Sequence, residues 1–128
     1  MRGLLPVLAL MLACGDQWVA ADEIAFNRDI RPLLSDACFA CHGPDVSHRE
    51  AGLRLDLESS AKQQVIVPGD AEASELVARL TAEDPDVLMP PPDSGKKLKP
   101  AEISLLREWV QRGASYEPYW AYQNPVAH

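Results

Sequence analysis

Cys38-Phe39-Ala40-Cys41-His42 is the stretch on which the reading of this chain turns. Two cysteines separated by two residues, with histidine directly after the second, form the attachment motif for a c-type haem. On one turn of backbone the two thiols can reach the two vinyl groups of one porphyrin. The next residue then aims its imidazole at the iron. A haem held this way needs a second ligand on its opposite face and a wall of apolar side chains, and the rest of the chain has to supply both.

The motif has rivals. Structural zinc normally takes four protein ligands, and the spare candidates are poorly placed: His48 falls in a polar loop and His128 is the final residue. A thiol-redox Cys-x-x-Cys calls for a βαβ context, which the pattern lacks. A Cys38–Cys41 disulfide is the bland alternative, and it would make the chain a cofactor-free exported module.

The 128 residues, 47% apolar and 24% charged, suit one small domain. Residues 1–21 read as a secretion signal. Arg2 gives a positive start, Leu4 to Ala13 is an apolar run broken only by Pro6, and Val19-Ala20-Ala21 resembles a small-residue cleavage site. The run falls short of the roughly 20 apolar residues that span a bilayer. Leu12-Ala13-Cys14-Gly15 loosely resembles a lipoprotein box, which would put lipid on Cys14 and tether the domain to a membrane. Met11 stands where such boxes prefer leucine, so soluble export to a periplasmic or equivalent space is the preferred address. Export and the motif support one another, because free cysteine pairs tend toward disulfides in oxidising compartments and haem c is attached outside the cytoplasm.

Removing residues 1–21 deletes one base and one acid, so the net charge of -7 is unchanged. That balance argues against a nucleic-acid surface, which needs clustered Lys and Arg. It favours a redox partner with a positive docking patch.

Along the chain, Phe26, Ile30, Leu33, Leu34 and Ala37 recur at helical spacing. Pro32 suits a first turn, so the regular helix is expected to start near it, after a looser turn capped by Asn27 or Asp29. The helix should run through the motif and stop at Gly43-Pro44. Asp45 to Ala51 reads as a surface loop. Leu53, Leu55 and Leu57 alternate like an extended, half-buried stretch, and Ser59 or Ser60 could cap a single helical turn to Gln64. Val65-Ile66-Val67 should be extended and end at the Pro68-Gly69 turn. Asp70 is the expected N-cap of a further helix that buries Ala73, Leu76, Val77 and Leu80 and ends at Glu83-Asp84-Pro85. Three prolines after Met89 force a stiff loop. Pro100 to Gly113 is the clearest helix, with Ile103, Leu105, Leu106, Trp109 and Val110 on its apolar face. The tail from Tyr116 lacks periodicity and reads as a strap, or as the start of something larger.

For the iron, His42 is one axial candidate, with its other ring nitrogen expected to find a backbone carbonyl in the following loop. Met89 is the candidate opposite ligand. It is the only methionine beyond the leader, and Pro90-Pro91-Pro92 would brace its thioether. His48 is the alternative, awkwardly close in sequence. Arg54 could meet a haem propionate, against the plainer reading of a solvated surface arginine. His/Met ligation leaves no open iron position, so the expected work is one-electron transfer rather than enzymatic bond chemistry.

Several blocks carry a family resemblance: Phe26-Asn27-Arg28-Asp29-Ile30-Arg31-Pro32-Leu33-Leu34, the Cys38 to Gly43 motif, Gly52-Leu53-Arg54-Leu55-Asp56, Val67-Pro68-Gly69-Asp70, Ser74-Glu75-Leu76, Met89-Pro90-Pro91-Pro92, Lys96-Lys97-Leu98 and Ile103 to Val110. In order and spacing they resemble the planctomycete-type cytochrome c domain. The resemblance implies an all-α, class I cytochrome c-like fold over residues 22–113, one covalent haem c per chain on Cys38 and Cys41, and His42 and Met89 as axial ligands. It departs at Lys99, where the family often has a helix-capping hydroxyl. Relatives also usually continue from a tail resembling Tyr119-Trp120-Ala121-Tyr122-Gln123-Asn124-Pro125 into larger domains. Residues 114–128 therefore read as an aromatic tail or the front of a further domain, and the chain as a stand-alone carrier or the electron port of a larger oxidoreductase.

Overall fold

The structure, a computed structural model, describes residues 22–119 and 121. The leader with Cys14 and the tail from Tyr122 lie outside the described residues. Among those residues there are helices and turns and no strand, an all-α domain. The elements are a π-helical turn Phe26–Ile30, α1 Arg31–Ala37, α2 Phe39–His42, α3 Glu58–Gln64, α4 Glu75–Leu80, a 3-10 turn Pro92–Ser94 and α5 Pro100–Gln111.

The opening segment follows its sequence closely. Pro32 sits in the first turn of α1, where its missing N–H costs no intrahelical bond. The looser turn before it is wound one residue wider than an α-helix, and Asp29 accepts the Ala25 N–H at 2.8 Å. Phe26, Ile30 and Leu34 are fully buried on one stripe, with Leu33 and Ala37 packed at its edge.

The stripe packs against α5, whose Leu106, Trp109 and Val110 form the other half of the core. Pro100 starts α5 as expected. The missing hydroxyl at Lys99 is offset from the other direction, since the Glu102 carboxylate accepts the Lys99 N–H at 2.7 Å. At the far end Gly113 takes φ +107°, and Ala114 N–H donates to Trp109 O at 2.9 Å. The chain then turns back as a strap. Trp109 Nε1–H donates to Ser115 O, and the Tyr116 hydroxyl donates to Leu55 O at 2.9 Å. The Tyr116 ring lies 4.3 Å from Phe26 and 5.3 Å from Trp109. Glu117 accepts the Phe26 and Asn27 amides, and the Arg31 guanidinium lies over both the Phe26 and Tyr119 rings. Burial pushes the Tyr116 phenol well above its ordinary pKa, so it stays a neutral donor.

Four expectations are corrected. The helix through the motif is not continuous: Cys38, at φ −125° and ψ −35°, separates α1 from α2, although its N–H still donates to Leu34 O. Leu53 and Leu55 are buried but Leu57 is exposed, because the chain turns at Leu55 and Asp56 and enters α3 at Glu58. Neither Ser59 nor Ser60 caps that helix. Both lie inside it, and the Ser60 hydroxyl accepts the Arg54 N–H at 3.0 Å. Finally, Asp70 caps a turn rather than a helix, accepting the Ala73 N–H, so α4 begins at Glu75 and ends at Leu80. Ala73 is exposed, while Ala71 and Ser74 are buried.

Ser74 is the one buried polar side chain of this region. Its hydroxyl accepts the Val67 N–H at 2.9 Å and donates to Asp70 O at 2.7 Å, which pins Val67 to the start of α4; Val65, expected to be extended, instead ends α3 in a turn with ψ −7°. Ser74→Ala strips Val67 N–H of its acceptor, and leaving such a group unsatisfied costs about 1–3 kcal/mol. Urea unfolding of the variant should show a lower midpoint at an unchanged slope.

Candidate functional site

The motif lies on α2 and the residue before it. His42 N–H donates to Cys38 O at 2.8 Å and Cys41 N–H to the same carbonyl at 3.2 Å. These i+4 and i+3 bonds make one turn, and residues spaced three and four apart share one helix face. Cys38, Cys41 and His42 are therefore brought together on that face. Both cysteines are free thiols; Cys41 is exposed and Cys38 is half-buried. Burial, helped by nearby Asp36, pushes the Cys38 thiol up to about 12. Among the described residues no group of three or more His, Cys, Asp and Glu side chains could hold a metal ion. The zinc reading has no ligand set there.

The turn ends abruptly, for a steric reason. A Cβ on Gly43 would stand 2.3 Å from Phe39 O. Only glycine lets the chain leave α2 this closely. The loop that follows then folds back onto the turn it left. Glu50 N–H donates to Cys41 O and Leu55 N–H to His42 O, both at 2.8 Å. Arg49 donates from Nε to Gly43 O at 3.1 Å and from Nη2 to Pro44 O at 2.9 Å. The last two carbonyls of α2 and the two that follow are thus satisfied by its own exit loop.

The His42 ring itself is engaged by no hydrogen bond among the described residues. Its Nδ1 is buried without a partner, contrary to the expectation that a loop carbonyl would accept from it.

Met89 is half-buried on the loop that leaves α4. Its N–H donates to Arg79 O at 2.9 Å, and Leu88 N–H donates to Asp84 O at 2.9 Å. The loop is therefore tied to the end of α4, with Pro90 to Pro92 leading into the 3-10 turn. The structure forms no hydrogen bond between Met89 and the His42 turn. Farther along, Lys96 pairs with Asp36 of α1 at 2.8 Å, a link from this loop to the helix that leads into the motif.

The remaining candidates are placed elsewhere. His48 is exposed in a surface turn, 2.8 Å from Asp45. Hydrogen bonds from Ser47, then His48, hold the Asp45 carboxyl well below the usual carboxylate range. Arg54 is half-buried in a two-pronged pair with Asp56, so its guanidinium is already matched to a carboxylate within the chain. An open groove of about 890 Å³ is lined by Arg31, Phe39, Pro44, Arg54, Tyr116 and Tyr119 among others, and by none of Cys38, Cys41, His42 or Met89.

Residues 38–93 match a family model described as Planctomycete cytochrome C. Over that segment the chain is similar to planctomycete cytochrome c. The matched span opens on Cys38 and closes just past Met89-Pro90-Pro91-Pro92, so it holds every candidate haem residue. A planctomycete cytochrome c domain implies covalent haem c and electron transfer. No curated protein and no solved structure gives a significant match.

The residues present fit that group. Two free thiols and an imidazole with no protein partner lie within a single turn. Sequence reasoning missed Arg49, Glu117 and Ser74, which hold the surrounding backbone. Each is a lone polar residue contacting main chain, and no periodicity or spacing announces such a contact.

The close exit at Gly43 is open to test. Gly43→Ala forces the Phe39 carbonyl and the start of the loop apart, and overpacking of this kind costs typically about 1–3 kcal/mol. Chemical unfolding of the haem-loaded variant should show that loss, together with a lower yield of loaded protein.

Proposed function

We propose that this chain is an exported c-type cytochrome that carries one covalent haem c and passes single electrons. The observation that carries the reading is the turn from Cys38 to His42, which brings two free thiols and an unpartnered imidazole into one short stretch of backbone. Cys38 and Cys41 would hold the porphyrin through thioethers, and His42 and Met89 would ligate its iron, within a class I cytochrome c-like arrangement. When bound, the haem supplies the one-electron couple, and everything else is binding, orientation and electrostatics from the chain.

The residues divide that work. The Cys38 carbonyl fixes the two amides that orient Cys41 and His42. The Arg79 carbonyl anchors the main chain of Met89, so its thioether starts from a fixed backbone. A thioether ligand raises the reduction potential, and two protein ligands leave no open position for a substrate. Electron carriage without bond chemistry follows from that ligand set.

The net charge of -7 supports docking to a redox partner with a positive patch. The leader supports an extracytoplasmic address, soluble after cleavage or lipid-anchored through Cys14 in the alternative reading. No helix among the described residues is long and apolar enough to cross a membrane.

Expression of the chain with haem-maturation machinery tests the assignment. The pigment should resist extraction by acid-acetone in the parent and be lost from a Cys38→Ala, Cys41→Ala double variant. Met89→Ala should lose the ferric Met–iron charge-transfer band and gain carbon monoxide binding, as one axial position opens. A variant that keeps the band would remove Met89 from the ligand set.

A further inference from the structure

Residues 81–99 form the loop that carries Met89 between α4 and α5. Its near end is fixed by main chain, with Met89 N–H donating to Arg79 O. Its far end is built as a stiff lever. Lys96 N–H donates to the Ser94 hydroxyl at 3.3 Å. Ser94 in turn donates to Pro91 O twice, from its N–H at 3.0 Å and from its hydroxyl at 2.6 Å. Gly95, at φ +70°, turns the chain inside that knot. From there Pro91 and Pro90, whose rings fix their own φ, lead directly back to Met89.

The lever ends in an ammonium. Lys96 Nζ donates to Asp36 Oδ1 at 2.8 Å, and Asp36 lies near the end of α1, just ahead of Cys38. Among the described residues this is the one hydrogen bond or ion pair that joins residues 81–99 to residues 22–66, the part of the chain that holds the haem motif.

We infer that the Lys96–Asp36 pair is a latch: it holds the Met89 loop closed toward the haem turn and makes the bond from Met89 to iron sensitive to salt. The inference rests on Met89 being an iron ligand, as proposed above. Lys96 and Asp36 are positioning residues that act through the loop backbone. Exposure sets the strength of the latch. Lys96 is 47% exposed and Asp36 75%, and pairs this open are weak and screened by salt. A weak latch cannot decide whether the domain folds. It can shift the population of a loop that opens locally, because such openings lie well below global unfolding in free energy.

Free imidazole competes with a thioether for haem iron, so its apparent affinity for the ferric protein reads how readily the loop opens. The full chain, loaded with haem, is titrated with imidazole beside Asp36→Asn and Lys96→Gln, and loss of the Met–iron charge-transfer band follows the displacement. At low salt both variants should bind imidazole about two- to fivefold more tightly than the parent. The two substitutions change the net charge in opposite directions, so a shared shift reports the pair and not the overall field. In about 1 M salt, where the screening length is roughly 3 Å, the parent should approach the variants while they barely move. A chain with the charges exchanged, Asp36→Lys with Lys96→Asp, should return toward the parent. Urea midpoints should stay close throughout.

Single variants that match the parent at low salt, or that shift in opposite directions, overturn the inference. So does tighter imidazole binding that only accompanies a lowered urea midpoint, since general loss of stability would then explain it. Should one variant load no haem, the other and the salt response of the parent still decide. A parent whose ferric spectrum lacks the Met–iron band removes Met89 from the ligand set and the latch with it. That result is visible before any variant is compared.

Discussion

The hydrogen bond from His42 N–H to Cys38 O, 2.8 Å long, holds together the part of the molecule that does chemistry. It closes one helical turn, and closing that turn puts residues 38, 41 and 42 on one face. A turn of four residues has no stability of its own, because helix nucleation is unfavourable and short helices lean on tertiary contacts. Here the support comes from both sides. Upstream, Cys38 N–H still bonds to Leu34 O, so α1 and its buried stripe hand their order across the break at Cys38. Downstream, the exit loop returns Glu50, Arg49 and Leu55 to the last carbonyls of the turn. The turn is thus tied at both ends by main-chain hydrogen bonds.

The same logic extends to the domain core. Phe26, Ile30 and Leu34 meet Leu106, Trp109 and Val110, and few other large side chains are wholly buried. A core this thin is supplemented by polar fastenings at its margins. Glu117 draws the strap onto the amides of Phe26 and Asn27, Tyr116 seals the edge against Leu55 O, and Ser74 joins two turns. Each is a side chain satisfying main chain, which is what a fold made of long loops needs: no strand partner exists among the described residues to take up those groups.

How much of this was legible depended on the kind of signal. Pro32 and Pro100 mark helix starts and Gly113 a helix end because covalent geometry leaves them little choice. The buried stripes of α1 and α5 follow from periodicity. The motif turn was legible as chemistry, although the break at Cys38 was not, since nothing in Cys38 itself disfavours helix. The failures share one cause. Asp70, Ser59 and Ser60 are all good caps by composition, and capping is only one of the uses a short polar side chain can find. Asp70 closed a tight turn and Ser60 took a distant amide instead. The acceptor expected for His42 is also missing, its Nδ1 being buried without a partner, while Arg49, unremarkable in sequence, donates to two carbonyls of the following loop.

The two loops that flank the proposed haem are therefore built on opposite plans. The loop after His42 is held by hydrogen bonds to the four carbonyls from Cys41 to Pro44. The loop bearing Met89 is held by covalent stiffness, with three prolines that donate nothing, and by single backbone bonds at its root, Met89 to Arg79 and Leu88 to Asp84. A thioether is a weak ligand that needs its backbone fixed but no hydrogen-bonded support, and prolines supply that fixity without placing donors near sulfur. An imidazole has a second nitrogen whose partner changes its strength as a ligand. Its loop has to control donors and acceptors one by one. In the proposed cytochrome the difference between the loops follows from the difference between the two ligands.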